Sequence, residues 1–317
     1  MSNTKKVLFI DSVHDVLQHD LQAVGFECIF NDQGSPLELS RFYPEAEGIV
    51  LRSRWVMNAA TIQLFPHLKW IARSGSGLEN IDVPYAEKNE IKIFSSPEGN
   101  ANAVGEHVVA MLLALTRKIT AADLSVKQKE WLRELHRGVE IKNMTIAIIG
   151  LGHMGRSVAQ KMNALGCNVI AYDKYLTESP LDYVPLVDLN TIFEKADVVS
   201  LHLPLSDETR YFANALFFQS FHKTIYFINT ARGQHCATQD LLMCLNSHKI
   251  KGAALDVLEF ESTQLKVEHE HSQAYHHLLQ HPRVILTPHI AGWTVESYYH
   301  LSKVLSDKIK TFYSLGF

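Results

Sequence analysis

The amino-acid sequence predicts an α/β protein built from two Rossmann-like or flavodoxin-like parallel-sheet domains. Three observations carry that expectation. Short β-rich runs alternate with helix-length stretches nearly from end to end, the signature of right-handed βαβ units. One strand, turn and helix carry glycines in the spacing Gly150-Leu-Gly152-His-Met-Gly155, the spacing of a dinucleotide-binding turn. The length of 317 residues suits two domains of ordinary size.

Composition narrows the field further. Hydrophobic residues at 46% and charged residues at 20% are those of an ordinary globular chain. A net charge of −4 argues against a protein that coats nucleic acid, which needs a basic surplus. The longest unbroken apolar run, 108–115, falls well short of the roughly 20 residues of a membrane span. Lys5 and Lys6 are followed by only a brief apolar run before Asp11, so no secretory signal is expected. Cys28, Cys167, Cys236 and Cys244 lie far apart without a CxxC pair. That spacing suits a reducing compartment, the cytoplasm, and neither a zinc site nor a disulfide framework.

In chain order, strands are expected at 6–10, 26–30, 48–52, 70–74 and 91–95. Between the first two, Val13, Val16, Leu17, Leu21 and Val24 recur at helical spacing, and Gly25 suits the position just past the helix. A second series follows at 144–149, 168–172, 197–203, 224–229, 252–257 and 283–287. Two long helices interrupt the rhythm. The stretch 102–120 is apolar nearly all round and should be buried. The stretch 295–315 is amphipathic, with Leu301, Val304, Leu305 and Ile309 on one side.

The glycine turn gives the first chemistry. Gly150 makes the tight bend, Gly152 lets the backbone approach a pyrophosphate, and Gly155 lets the helix pack closely on its strand. Amides at the helix N-terminus then meet the phosphate charge. The strand at 168–172 ends in Asp173, where a carboxylate accepts both hydroxyls of an adenosine ribose. That acid repels a 2′-phosphate, so NAD is expected rather than NADP.

Hydride transfer to a carbonyl acid needs two more groups. Arginine, permanently charged and bidentate, suits the substrate carboxylate. Histidine, titrating near neutrality, suits the hydroxyl proton. Arg232 in Asn229-Thr-Ala-Arg-Gly and His289 in Thr287-Pro-His-Ile-Ala-Gly each follow a predicted strand end, where open α/β sheets bind ligands. Glu261 lies past another such end and is placed to orient His289.

The series GLGHMG (150–155), Asp173, LHLPLSDETR (201–210), INTARG (228–233), ALDV (254–257), Glu261 and LTPHIAG (286–292) resembles the D-isomer-specific 2-hydroxyacid dehydrogenase family. The phosphoglycerate dehydrogenase branch is the nearest likeness. LRSR (51–54), ARSGSGLENID (72–82) and PEGNANAVGEHVVAMLLAL (97–115) extend it over nearly the whole chain. The resemblance implies a catalytic trio of Arg232, Glu261 and His289. It implies a cofactor site of Gly150, Gly152, His153, Met154, Gly155, Asp173, Leu203, Pro204, Thr209, Thr230, Ala231, Asp256 and His289, with Asp256 holding the nicotinamide carboxamide. Ser76, Gly77, Asn100 and Arg232 would bind the substrate carboxylate, and Arg52 and Arg54 a substrate phosphate. It further implies a discontinuous substrate domain, 1–99 plus 291–317, and a cofactor domain, 100–290, with the active-site cleft between them. A homodimer through the cofactor domain is expected.

The activity expected is that of an NAD-dependent oxidoreductase acting on the CH-OH group of a D-2-hydroxy acid, with D-3-phosphoglycerate, and hence serine biosynthesis, foremost. Glyoxylate or hydroxypyruvate reduction is the alternative, and an NAD-sensing binding protein a third reading. Departures from the family are visible. Ser262 replaces the usual Pro after the glutamate, the segment from Glu261 to His289 is long, and Glu259 is a second candidate partner for the histidine. Cys236 and Ala237 stand where the family often has Val and Asp. No C-terminal regulatory domain is expected. His269, His271, His276, His277 and His281 follow no tidy ligand spacing and are read as a solvated loop, with no metal expected. The charge-rich segment 118–137 is either a solvated face or a dimer arm.

Overall fold

The computed structural model describes residues 5–262 and 272–313. His269 and His271 lie outside the described residues. The chain forms two compact units, Met1–Asn100 with Trp293–Phe317, and Ala101–Gly292. Each is a parallel-sheet α/β domain.

The first unit alternates strands β1 (Lys5–Phe9), β2 (Phe26–Phe30), β3 (Ala46–Leu51), β4 (Trp70–Arg73) and β5 (Lys92–Ser95) with helices α1 (Val16–Ala23), α2 (Pro36–Phe42), α3 (Ala59–Gln63) and α4 (Val83–Lys88). The sheet order is β2-β1-β3-β4-β5, parallel throughout. Its central strands β1, β3 and β4 are buried on both faces, because successive side chains point to opposite sides. Leu8 and Ile10 join Ile49, Leu51 and Ile71 in one core. Val7 and Phe9 join Val50, Trp70 and Ala72 in the other. That second core is closed by Leu17 and Leu21 of α1 together with Leu305 and Ile309 of the returning C-terminal helix, Val295–Phe312.

The second unit contains helices α5 (Ala101–Thr116) and α6 (Ile119–Lys127), then β6 (Thr145–Ile149), α7 (His153–Ala164), β7 (Asn168–Tyr172), α8 (Leu189–Lys195), β8 (Val198–Leu201), α9 (Ala215–Ser220), β9 (Ile225–Asn229), α10 (Thr238–Asn246), β10 (Ile250–Leu255), α11 (Gln273–Gln280) and β11 (Val284–Leu286). The C-terminal helix of the first unit is α12. The six strands run parallel in the order β11-β10-β9-β8-β6-β7. In each unit the first strand lies between its second and third, so the chain switches side there and leaves a crevice at the strand ends.

One predicted element is corrected. The single helix expected over 102–120 ends at Thr116, and α6 starts afresh at Ile119 after Lys118 turns into the left-handed region (φ +53°). The cause is local competition for a carbonyl. Val139 N–H donates to Thr116 O at 3.0 Å, which is the acceptor a continuing helix would have offered to residue 120. The C-terminal helix ends at Phe312, and 314–317 lie outside the described residues. Among the described residues no helix is long and apolar enough to cross a membrane. All four cysteines are free.

Candidate active site

Every catalytic candidate of the second unit sits just past the C-terminal end of a strand. Beyond β9, the fully buried Asn229 staples the turn that presents Arg232. Its Nδ2 donates to Arg232 O at 2.8 Å and its Oδ1 accepts from Ala231 N at 3.1 Å. Gly233 is required by close approach, since a Cβ there would stand 1.9 Å from Leu258 O. That contact sets Arg232 against the chain leading to Glu261.

Glu261 and His289 form a short pair, Oε1 to Nδ1 2.6 Å. With Nδ1–H donating to the carboxylate, Nε2 is the ring nitrogen left to exchange a proton. Ser262 in place of proline does not prevent this geometry. Glu259, the other candidate, is committed elsewhere, because its Oε2 accepts the first amide of α10, Thr238 N, at 2.8 Å. Ala237 at that helix's N-cap offers no side-chain cap.

The glycine turn follows β6. Gly150 adopts φ +94°, with His202 O only 2.6 Å from where a Cβ would be. At Gly155 a Cβ would meet Gly150 O at 2.0 Å, so only glycine lets α7 start this close to its strand. Gly152, the N-cap of α7, has open space on its Cβ side and no side chain capping the helix. The first amides of α7 are therefore left for an anion. Asp173 is fixed from two sides. Its Oδ2 accepts from Leu151 N at 2.8 Å, and its Oδ1 accepts from Tyr175 N and Leu176 N at 2.9 and 3.2 Å.

Two of the expected cofactor residues also hold the protein's own chain. The Asp256 carboxylate is buried and spent within the protein, accepting from Thr287 Oγ1, Ile290 N and Ala291 N at 2.6, 2.8 and 2.8 Å. It anchors the loop carrying His289. The Thr209 hydroxyl likewise folds its own turn, donating to Pro204 O at 2.7 Å and accepting from Ser206 N at 2.8 Å.

In the first unit Ser76 Oγ donates to Asn100 Oδ1 at 2.7 Å, so these two carboxylate-site candidates meet. The two arginines after β3 part company. Arg54 turns inward, its guanidinium donating to Ile10 O, Asn31 O and Gly34 O at 3.1, 3.4 and 2.8 Å. Arg54 thus clasps three stretches of backbone. Arg52 stacks on the Trp293 ring at 4.2 Å. Burial lowers its pKa against the opposing pull of Asp11 and Tyr298, and no carboxylate pairs with its guanidinium among the described residues.

A family model described as the D-isomer specific 2-hydroxyacid dehydrogenase NAD binding domain matches residues 109–291. The chain belongs to the D-isomer specific 2-hydroxyacid dehydrogenase family. It is 34% identical to a D-3-phosphoglycerate dehydrogenase of Synechocystis sp. over 96% of this chain and 53% of that one. To a hydroxypyruvate reductase of Thermotoga maritima it is 35% identical over 86% of each. Among solved structures it is similar to a D-lactate dehydrogenase of Aquifex aeolicus complexed with NAD and lactic acid, at TM-score 0.81 and 25% identity, covering 98% of this chain and 96% of that one. The chain spans about half the length of the phosphoglycerate dehydrogenases it matches.

NAD is the cofactor of this dehydrogenase-family domain, and the residues present fit it. Besides the uncapped helix and open Gly152, the Thr230 hydroxyl is buried without a hydrogen-bond partner among the described residues. Buried polar groups are nearly always satisfied, so Thr230 beside Arg232 marks a place for a ligand. Two residues escaped the sequence reading. Asn229 had a signal in its place directly before the Arg232 turn, whereas Trp293 had none, since nothing local ties it to Arg52.

Proposed function

We propose that the chain catalyses reversible NAD-linked oxidation of a D-2-hydroxy acid to its 2-oxo acid. The observation that carries this is the 2.6 Å pair between Glu261 and His289, at the same end of the sheet as Arg232 and the glycine turn. When bound, the cofactor supplies or accepts the hydride. The side chains do the rest. The Arg232 guanidinium holds the substrate carboxylate and polarises the carbonyl through charge-assisted hydrogen bonds. In reduction His289 Nε2 delivers a proton to the carbonyl oxygen, and in oxidation it removes one. Glu261 holds Nδ1–H and stabilises the imidazolium while the proton is on the ring. The cofactor is held by His153 and Met154 amides, Asp173 and Thr230, with Leu203, Pro204 and Ala231 as apolar and backbone borders.

For the substrate we favour a 2-hydroxy acid with a distal anion, foremost D-3-phosphoglycerate, which would place the chain in serine biosynthesis in the cytoplasm. Arg52 supports this, as a half-buried cation stacked on Trp293 whose guanidinium makes no ion pair among the described residues. Ser76, Gly77 and Asn100 are assigned to the carboxylate end. Hydroxypyruvate or glyoxylate reduction is the second reading, favoured by the identity to the Thermotoga maritima relative over most of both chains. A homodimer is supported by exposed apolar side chains in one short stretch. Ile119, Leu124, Trp131 and Leu135 are 53%, 55%, 77% and 61% accessible, more than a lone monomer usually leaves bare in one place.

The test is NADH oxidation with 3-phosphohydroxypyruvate, hydroxypyruvate and glyoxylate. Arg52→Ala should raise KM for the phosphorylated acid about tenfold or more and leave kcat nearly unchanged, because it removes binding common to ground and transition states. Equal losses on all three acids would favour the second reading. No turnover on any would favour an NAD-sensing binding protein.

A further inference from the structure

Behind the loop that carries His289, the ends of β10 and β11 meet helix α5 in a hydrogen-bonded chain that the reaction does not use directly. Asp256 is 1% exposed. Its Oδ1 accepts from the Thr287 hydroxyl at 2.6 Å, and its two oxygens accept the Ile290 and Ala291 amides at 2.8 Å each. Its own carbonyl accepts the His289 amide at 2.7 Å. The far end of the chain is His107 on α5, whose Nε2 lies 3.0 Å from Thr287 Oγ1. A direct contact from His107 to Asp256 Oδ1, at 3.6 Å, is too long for a hydrogen bond.

A hydroxyl has one proton to give. Thr287 spends it on Asp256, so the His107–Thr287 contact requires His107 Nε2–H to be the donor. Without that donor the Thr287 hydroxyl is held on one side only, by its bond to Asp256, and the weak acceptor Met111 Sδ at 3.9 Å becomes its alternative partner. The residue at stake is His289, which sits at φ +56°. Residues other than glycine hold that conformation only where the surroundings over-determine it. Here the determinants are Asp256 and what holds Asp256.

We propose that His107 is a positioning residue for the catalytic histidine. By donating to Thr287 it locks the hydroxyl onto Asp256, and Asp256 then holds residues 289–291 so that the His289 ring faces Glu261. This rests on the reading of His289 as the acid–base of the reaction.

The test compares His107→Leu, which keeps volume and loses the donor, with His107→Gln, whose amide reaches about as far as Nε2. Two readouts are taken. One is the downfield Nδ1 proton of His289 in NMR spectra of the NADH-bound protein, assigned by its loss in His289→Gln. The other is kcat for NADH oxidation with the fastest of the three acids above, beside NADH affinity by fluorescence. His107→Leu should lose the resonance and lower kcat by about 10-fold or more. NADH affinity should stay within about twofold, and His107→Gln should restore both readouts. An intact resonance and normal kcat in His107→Leu overturns the proposal. Equal damage in Leu and Gln variants overturns it too, and makes His107 a packing residue. Turnover that survives in His289→Gln defeats the acid–base reading instead, while the resonance still reports whether His107 positions the ring.

Discussion

The two units solve one topological problem in opposite ways. Each has a first strand between its second and third, and so a crevice where the chain switches side. In the first unit that crevice is filled by the protein itself. Asp11, directly after β1, accepts the Arg52 and Arg54 amides on Oδ2 at 2.6 and 3.3 Å, and the Arg54 guanidinium closes over three carbonyls. In the second unit the same place after β6 is left open. Gly150 and Gly152 bring no side chain, α7 starts uncapped, and the acid stands one strand away at Asp173. The proposed nucleotide site is thus made by omission, and filling the matching place in the first unit needs no change of fold.

The difference is tested most strongly by giving the second turn the acid of the first. Gly152→Asp fits sterically, since a Cβ at 152 meets nothing within 4 Å, but its carboxylate would stand where the pyrophosphate is expected. Like charges about 4 Å apart in a partly dry site repel by several kcal/mol. NADH affinity, read by fluorescence titration, should fall on the order of 10²–10³-fold with little change in Tm. Retained affinity would separate the turn from cofactor binding.

A smaller effect distinguishes how the first unit is held together. Asp20 of α1 binds α12 through Ser306 Oγ, Lys303 Nζ and Lys310 Nζ at 2.5, 2.9 and 3.1 Å. Burial opposes its ionisation, yet these three bonds outweigh it and lower its pKa from the ordinary 3.8 to about 2. A carboxyl depressed on folding stabilises fully above its unfolded pKa and loses that contribution as pH falls towards the folded value. The contribution is roughly 2 kcal/mol, lost between about pH 4 and pH 2. Denaturant melts of wild type and Asp20→Asn should converge across that window. If their difference stays constant with pH, the contact stabilises by packing alone.

How much of this was legible in the sequence follows from the range of each interaction. The strands at 26–30 and 168–172 were readable to the residue, because period and turn chemistry are local. So was the spacing of Gly150, Gly152 and Gly155, which is a property of one turn. The helix break at Lys118 was not, since it depends on Val139 returning to take the Thr116 carbonyl. The roles of Arg52 and Arg54 were likewise beyond reach. They are two residues apart, and what separates them is a set of carbonyls 20 to 44 positions away and a tryptophan near the other end of the chain. The bonds that bury Asp256 were out of reach for the same reason, its partners lying 31 to 35 positions on.

The mildest expected effect tests the acid that the second unit keeps at a distance from its turn. Three backbone amides hold the Asp173 carboxylate in place, so it cannot swing aside for a 2′-phosphate. The neighbouring cation offers no rescue, because Lys174 is paired with Glu208. Discrimination should therefore be electrostatic and set by one charge. Asp173→Asn removes it, keeps the shape, and should narrow the preference for NADH over NADPH in kcat/KM by about tenfold, which is 1.4 kcal/mol. Most of the change should come from better use of NADPH, since lost repulsion helps that cofactor, while the weaker ribose contact costs NADH only modestly. Glu208→Gln, which frees Lys174 at the exposed rim, should shift the ratio the same way but less, as solvent screens surface charges. A wild-type preference for NADPH would remove Asp173 from the cofactor site altogether.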